Sequence, residues 1–288
     1  MKRFFCWLLA IVITLSAAYY QRMTGPTYPK RADVVVNGKT YSIKLVRSLS
    51  LDEPATVKLE IGDPAVSANI WYKRLNTEDP WTAGEFQYAE ISSHSGKKEG
   101  LIASVPKQPP AGKLQYYIEI TDNEGTQTLF RESPVVIRFK GTVPGWVLTP
   151  HILLMFFAML LSTLAGLMAL MGIEAQKSFG VIALALLLAG GMILGPVVQK
   201  YAFGEFWTGV PLGWDLTDNK TLLAVIFWIL AVTMNRKKPR PLYTILAAVA
   251  LLVIYSIPHS LFGSELDWAT GDVRQGMITF LLPAVFFK

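Results

Sequence analysis

The chain of 288 residues is 52% hydrophobic with a mean hydropathy of +0.36, too apolar for an ordinary soluble domain, and its apolar residues are unevenly spread: 30–140 read as soluble protein and 145–258 as long apolar runs. The net charge of +6 gathers at Lys2 and Arg3 and at Arg236, Lys237, Lys238 and Arg240, the pattern of positive-inside topology signals; with no basic stripe interleaved with aromatics, nothing points to nucleic acid. Cys6 is the one cysteine, which excludes an internal disulfide framework and any cysteine-built metal cluster.

Phe4 to Ala18 is uncharged and follows two cations. It fits a signal peptide cleaved near Ser16-Ala17-Ala18, and, extended through Tyr19 and Tyr20 at an interfacial belt, it fits an uncleaved anchor, the reading favoured here. Gly25-Pro26 and Pro29 then make a stiff exit segment.

From 32 to 140 the side chains alternate. Tyr41, Ile43 and Leu45 alternate with Ser42 and Lys44; Val57, Leu59 and Ile61 with Lys58 and Glu60; Leu114, Tyr116, Ile118 and Ile120 with Gln115, Tyr117 and Glu119. Ile70 and Tyr72, then Leu101, Ala103 and Val105, and last Val135, Ile137 and Phe139 follow the same rule. Period two places one face inward and the other outward. Turn signals at Gly62-Asp63-Pro64, Ser95-Gly96, Pro109–Gly112 and Asp122–Gly125 divide seven or eight short strands, the arithmetic of an antiparallel sandwich. The segments ANIWYKR and GLIASVPKQPPAGKLQYYIEITDNEG resemble the immunoglobulin/fibronectin-III-type modules of bacterial envelope proteins. That resemblance implies a fold and not a function.

Four further apolar spans follow: 145–172, Phe179–Val198, Thr221–Met234 and Pro241–Ile257. Gly195 to Leu222 is expected as an elaborate loop between the third and fourth spans, and Asp218-Asn219 as the N-cap of the fourth. With the N-terminus in the cytoplasm, five spans place Lys177 and the Arg236–Arg240 loop inside, and the strands, the elaborate loop and the C-terminus outside. The expected fold class is therefore an Ig/fibronectin-III-like β-sandwich ectodomain plus an α-helical bundle, five transmembrane helices in all. The expected divisions are an anchor and exit segment (1–30), the sandwich (31–141), a four-span bundle with a folded outer loop at 199–220 (142–268), and an apolar tail (269–288). The tail's apolar stretch, Met277 to Phe287, is too short to span a bilayer.

Candidate chemistry gathers at the outer end. His151 opens the second span and His259 closes the fifth, a pairing compatible with axial ligation of haem b. Met155 lies four residues after His151 on the same helix face, which allows a copper-type site. Asp215, Asp218, Glu265 and Asp267 make a candidate outer polar site, and Trp207 and Trp214 belong to a cap over the bundle. The spans carry almost no ionisable residues, which weighs against a transporter with a midplane site. There is no HExxH, no GxSxG and no phosphate-cradling glycine loop.

QRMTGPTYP, TPHILLMFFAMLLST, the Gly195–Leu222 stretch and IPHSLFGSELD together resemble a group of Gram-negative inner-membrane proteins built as anchor, sandwich and four-span bundle. The resemblance implies architecture, inner-membrane placement and a periplasmic sandwich, and no activity. The expected function is that of a non-enzymatic interaction or envelope-complex component with the lipid bilayer and a periplasmic or membrane protein as partners. The alternative is a membrane redox protein binding haem b or quinone near the outer ends of the second and fifth spans.

Overall fold

The computed structural model describes residues 1–93, 96–259 and 264–274. The Ser95-Gly96 turn lies partly, and Met277–Phe287 wholly, outside the described residues. The chain folds as two compact units: Met1–Pro26 with Val143–Ser264, and Thr27–Thr142 with Glu265–Arg274.

The second unit is built of strands: β1 (Lys30–Val36), β2 (Lys39–Leu45), β3 (Ser48–Ser50), β4 (Thr56–Leu59), β5 (Ser67–Arg74), β6 (Thr82–Glu85), β7 (Gln87–Ser93), β8 (Gly96–Ser104), β9 (Lys113–Asp122), β10 (Gly125–Leu129) and β11 (Val135–Lys140), with β12 (Glu265–Leu266) and β13 (Val273–Arg274) from the far end of the chain. The largest sheet runs β3-β11-β9-β5-β6, with β10 also on β9; a second runs β4-β8-β7, and β1-β2 is a hairpin. All pairs are antiparallel except β3 with β11. Alternation explains the packing. Ile70, Leu114, Tyr116 and Ile118 from the largest sheet, Val57, Leu59 and Leu101 from the second, and Val36 and Ile43 from the hairpin enter one buried core. Eleven strands are described between Lys30 and Lys140, more than the seven or eight expected. β3 and β6 are too short to show a period, and the β1-β2 turn is carried by Asn37 and Gly38 at φ 47° and 72°. Two consecutive left-handed residues are the geometry that an Asn-Gly hairpin turn needs.

The first unit is helical: α1 (Lys2–Thr24), α2 (Gly145–Leu170), α3 (Gln176–Leu187), a π-helical segment (Leu188–Leu194), α4 (Gly195–Phe203), α5 (Leu216–Met234) and α6 (Pro241–Ser256). Among the described residues four helices are long and apolar enough to cross a membrane: α1, α2, the continuous Gln176–Phe203 rod and α5. The expected fifth, α6, is apolar but only 16 residues long. The expected Gly195–Leu222 loop is also shorter than the sequence implied. The third helix runs on to Phe203, where Gly204 at φ 93° ends it, and α5 begins at Leu216, so the loop is Gly204–Asp215. The π-segment was not foreseen; its Gly190 and Gly191 lie against Leu154, Met155 and Thr221, where an added Cβ would come within 2.8–2.9 Å of a neighbour.

Small residues set the other helix contacts. Cys6, Ala10 and Thr14 form the buried stripe of α1, and the first two pack on Leu160, Leu164 and Met168 of α2. A Cβ on Gly166 of α2 would stand 2.5 Å from that of Ala248 on α6. At the end where α5 passes into α6, a buried polar knot joins three helices. Thr244 Oγ1 donates to Gln176 Oε1 (2.6 Å), Gln176 Nε2 donates to Asn235 Oδ1 (3.4 Å), and Asn235 Nδ2 donates to Ala231 O (2.8 Å). The expected inner turn at Lys177 and the basic Arg236–Arg240 loop are thus at the same end of the helical unit.

Candidate functional site

The opposite end of the helical unit holds the histidines. His151, in the first turns of α2, places Nδ1 2.9 Å from Gly190 O in the π-segment. A carbonyl only accepts, so Nδ1 carries the proton and Nε2 is left with its lone pair. His259, just past α6, places Nδ1 2.9 Å from Gln21 Nε2 on α1. The amide nitrogen only donates, so here Nδ1 accepts and the proton of the neutral ring sits on Nε2. His259 lies within electrostatic range of His151 and of Lys220. The structure therefore brings the two histidines into one region, in opposite tautomers. Met155 does not join His151 as a ligand pair: its sulfur packs over Gly190 and Gly191. Among the described residues no group of three His, Cys, Asp or Glu side chains is placed to hold a metal ion.

Lys220, missed as a candidate from sequence, is buried in the first turns of α5, and its ammonium donates to Ile257 O at 2.7 Å. It caps the carbonyl end of α6. The signal for it was a lysine alone at the start of an apolar run.

The loop Gly204–Asp215 is stitched to α5. Asp215, not Asp218-Asn219, is the N-cap: its carboxylate accepts from Thr217 N (2.8 Å) and Asp218 N (3.0 Å). Asp218 sits one turn inside and is buried, accepting from Thr208 N (2.7 Å) and Thr208 Oγ1 (3.2 Å). The Gln199 amide, turned with its nitrogen toward the carboxylate, adds a bond of 2.8 Å to Asp218 Oδ1. Asn219 Oδ1 accepts from Val210 N (2.7 Å). Trp207 folds back within the loop, its indole N–H donating to Val210 O (3.2 Å), whereas Trp214 is 70% exposed beside the exposed Leu212. An exposed Trp and Leu at the end of an apolar bundle suit the membrane interface.

Glu265 and Asp267 belong to the strand unit. Glu265 pairs with Lys113 (3.0 Å) and accepts from Asn76 Nδ2 (2.7 Å), while Leu266 N donates to Ala111 O (3.1 Å). Burial lowers the Lys113 ammonium below its usual range, and Glu265 opposes that shift. Asp267 N donates to Asp272 O across the β12-β13 turn (2.8 Å). The four carboxylates of the candidate polar site are thus divided between the units, and each has a structural partner of its own.

On the outward face of the largest sheet lies a cluster the sequence did not single out. Trp71 and Tyr117 are register partners on β5 and β9, their rings parallel within 8° at 6.0 Å, and Trp81 meets Tyr117 edge-on at 4.9 Å. Lys73 lies over Trp81 (5.3 Å) and Arg131 over Tyr117 (5.7 Å). Trp71 Nε1 donates to Glu119 Oε2 at 2.7 Å. Arg74 holds Asp79 with two bonds, at 2.6 and 2.9 Å, and lies over Trp268 at 4.7 Å. The guanidinium holds the Asp79 carboxyl down at about 2.

Compared with protein-family models, with curated proteins and with solved structures, the chain has no match in any of the three.

Proposed function

We propose that this is a bacterial inner-membrane protein whose periplasmic Ig-like β-sandwich binds a protein partner and which carries out no reaction of its own. The observation that carries the reading is the aromatic cluster on the outward face of the largest sheet, where half-buried Trp71 and Trp81 cover a buried Tyr117 between Lys73 and Arg131, since Trp, Tyr and Arg dominate interface hot spots. The sandwich part is supported by strands of both larger sheets sending alternate residues into one core. At the histidine end of the helical unit three charged groups are engaged structurally: Asp215 caps, Asp218 holds a loop and Lys220 ties down a helix end.

Chain continuity suits five spans. Glu265–Arg274 belongs to the same unit as Thr27–Thr142, which leaves α1 and enters α2. If α2, the Gln176–Phe203 rod and α5 each cross, α5 ends on the face opposite the one where α2 starts, and a crossing α6 returns the chain to that face. Its 16 residues give about 24 Å at 1.5 Å per residue, against a core of ~30 Å. The positive-inside rule then sets the N-terminus and the Arg236–Arg240 loop in the cytoplasm.

The test is a photo-crosslinking side chain at Lys73 or Trp81 in living cells, with Lys97, exposed on the second sheet, as the control position. The expected result is a discrete adduct from 73 and 81 and none from 97. Equal adducts from all three, or none from any, would count against a specific partner on this face.

The second reading is haem b or quinone near His151 and His259. His151 favours it, because a ring held through Nδ1 leaves Nε2 open to a ligand. His259 opposes it unless the Gln21 amide turns over. A reduced-minus-oxidised visible spectrum of the purified protein decides: a Soret band lost in His151→Ala and in His259→Ala would establish the redox reading, and a colourless protein would remove haem.

A further inference from the structure

A groove of about 180 Å³ opens between α3 and α5, at the end where the basic loop joins α5 to α6. Its sides are apolar, Gly180 and Val181 on α3 and Trp228 and Val232 on α5. Gly180 makes room for it, because a Cβ there would come 2.8 Å from the Trp228 ring. The buried polar knot of Gln176, Asn235 and Thr244 lines one end. Two cations line the same end, Lys177 from the first turn of α3 and Arg236 from the loop just after α5. Among the described residues neither side chain has a hydrogen-bond or ion-pair partner. Trp228 is 1% exposed, and the Cε3–Cζ3 edge of its indole faces Gly180.

We propose that this groove binds one anionic phospholipid, its acyl chain lying between Gly180 and Val232 and its phosphate between Lys177 and Arg236. Charge complementarity selects this occupant. The residues that line the groove include both cations and no carboxylate, and the adjoining loop adds Lys237, Lys238 and Arg240 without an acid. Basic pockets between membrane helices at the cytoplasmic face hold anionic headgroups by the same physics. The apolar walls exclude a free phosphate as the natural ligand, because nothing on it would cover Val181 and Val232. The proposal rests on the helical unit lying in a bilayer, which flotation of the protein with vesicles of phosphatidylcholine alone reads separately.

The experiment is native mass spectrometry of the full chain, delipidated in detergent and titrated with phosphatidylglycerol or phosphatidylcholine. The expected result is one phosphatidylglycerol bound in preference to phosphatidylcholine. Lys177→Gln with Arg236→Gln should weaken it roughly thirtyfold, about fivefold per cation. Lys237→Gln with Lys238→Gln removes the same amount of charge beside Arg236 without touching the groove, and should bind as the unaltered chain does. Val181→Trp fills the groove from its exposed side and should abolish the bound lipid, a second arm should the paired glutamine variant fail to fold. Equal loss in the two charge pairs would mean diffuse surface charge, and equal binding of phosphatidylcholine would mean a plain apolar crevice. Displacement of the lipid by inorganic phosphate would mean a free-anion site. Each of these three results overturns the proposal.

Discussion

Asp218 shows what a single buried carboxylate does here. It stands one turn inside α5 and takes two bonds from Thr208, so the loop after α4 is held by a side chain that the sequence presents only as one more acid near a helix start. Asp218→Ala leaves the Thr208 N–H without its acceptor and should cost about 2 kcal/mol. Thermal melting in detergent reads the loss, and protease sensitivity should appear within Gly204–Asp215; a loop as resistant as before would show that Asp215 and Asn219 suffice. Tyr116 makes the corresponding case among the strands. Its hydroxyl donates to Val46 O at 3.0 Å, and burial pushes its ionisation well above the usual phenol range, against a smaller opposing effect of Arg47. The folded chain keeps this proton to higher pH than the unfolded chain, so the associated stability is complete below about pH 10 and falls as the pH rises beyond it. Tyr116→Phe should cost about 1 kcal/mol at neutral pH and move alkaline unfolding to higher pH. Alternation alone placed Tyr116 inward. Its bond to a carbonyl 70 positions away had no local sign.

Among the elements, the glycine contacts decide how closely helices approach. Gly166 faces Ala248, and the 2.5 Å that would separate their Cβ atoms is far below contact distance. Gly166→Leu must push α2 and α6 apart and should cost about 1–3 kcal/mol, read as a lowered melting temperature in detergent, while Gly145→Ala, with nothing within 4 Å, should be silent by comparison. Gly190 and Gly191 lie in a π-segment whose Gly190 O accepts from both Gly195 N and His151. Apolar composition reads the same whether a turn closes with four residues or five, so the π-segment and the extension to Phe203 were hidden. The Glu265–Arg274 segment was hidden for another reason. β12 and β13 are two residues each, and what holds Glu265 is Lys113 and Asn76, far away in the chain.

At the scale of the molecule, the proposed five-span topology is open to a direct test. In a Cys6→Ser background, Lys238→Cys should resist a membrane-impermeant thiol reagent in intact cells and react after permeabilisation, whereas Lys97→Cys should react in both. Labelling of position 238 in intact cells would reverse the orientation or remove a span. By itself the sequence determined that apolar runs and period-two strands occupy separate stretches, and where the cations cluster. Those are properties of neighbours along the chain, and periodicity and hydropathy report them directly. Only the tertiary structure decided that the Gly195–Leu222 stretch is in part helix and in part a loop stitched down by Asp215, Asp218 and Asn219. It alone put His151 and His259 in opposite tautomers, joined Glu265 to Lys113, and opened a groove between Lys177 and Arg236. Each of these depends on a hydrogen-bond partner or a cavity wall supplied by a distant segment, and no local pattern carries that information.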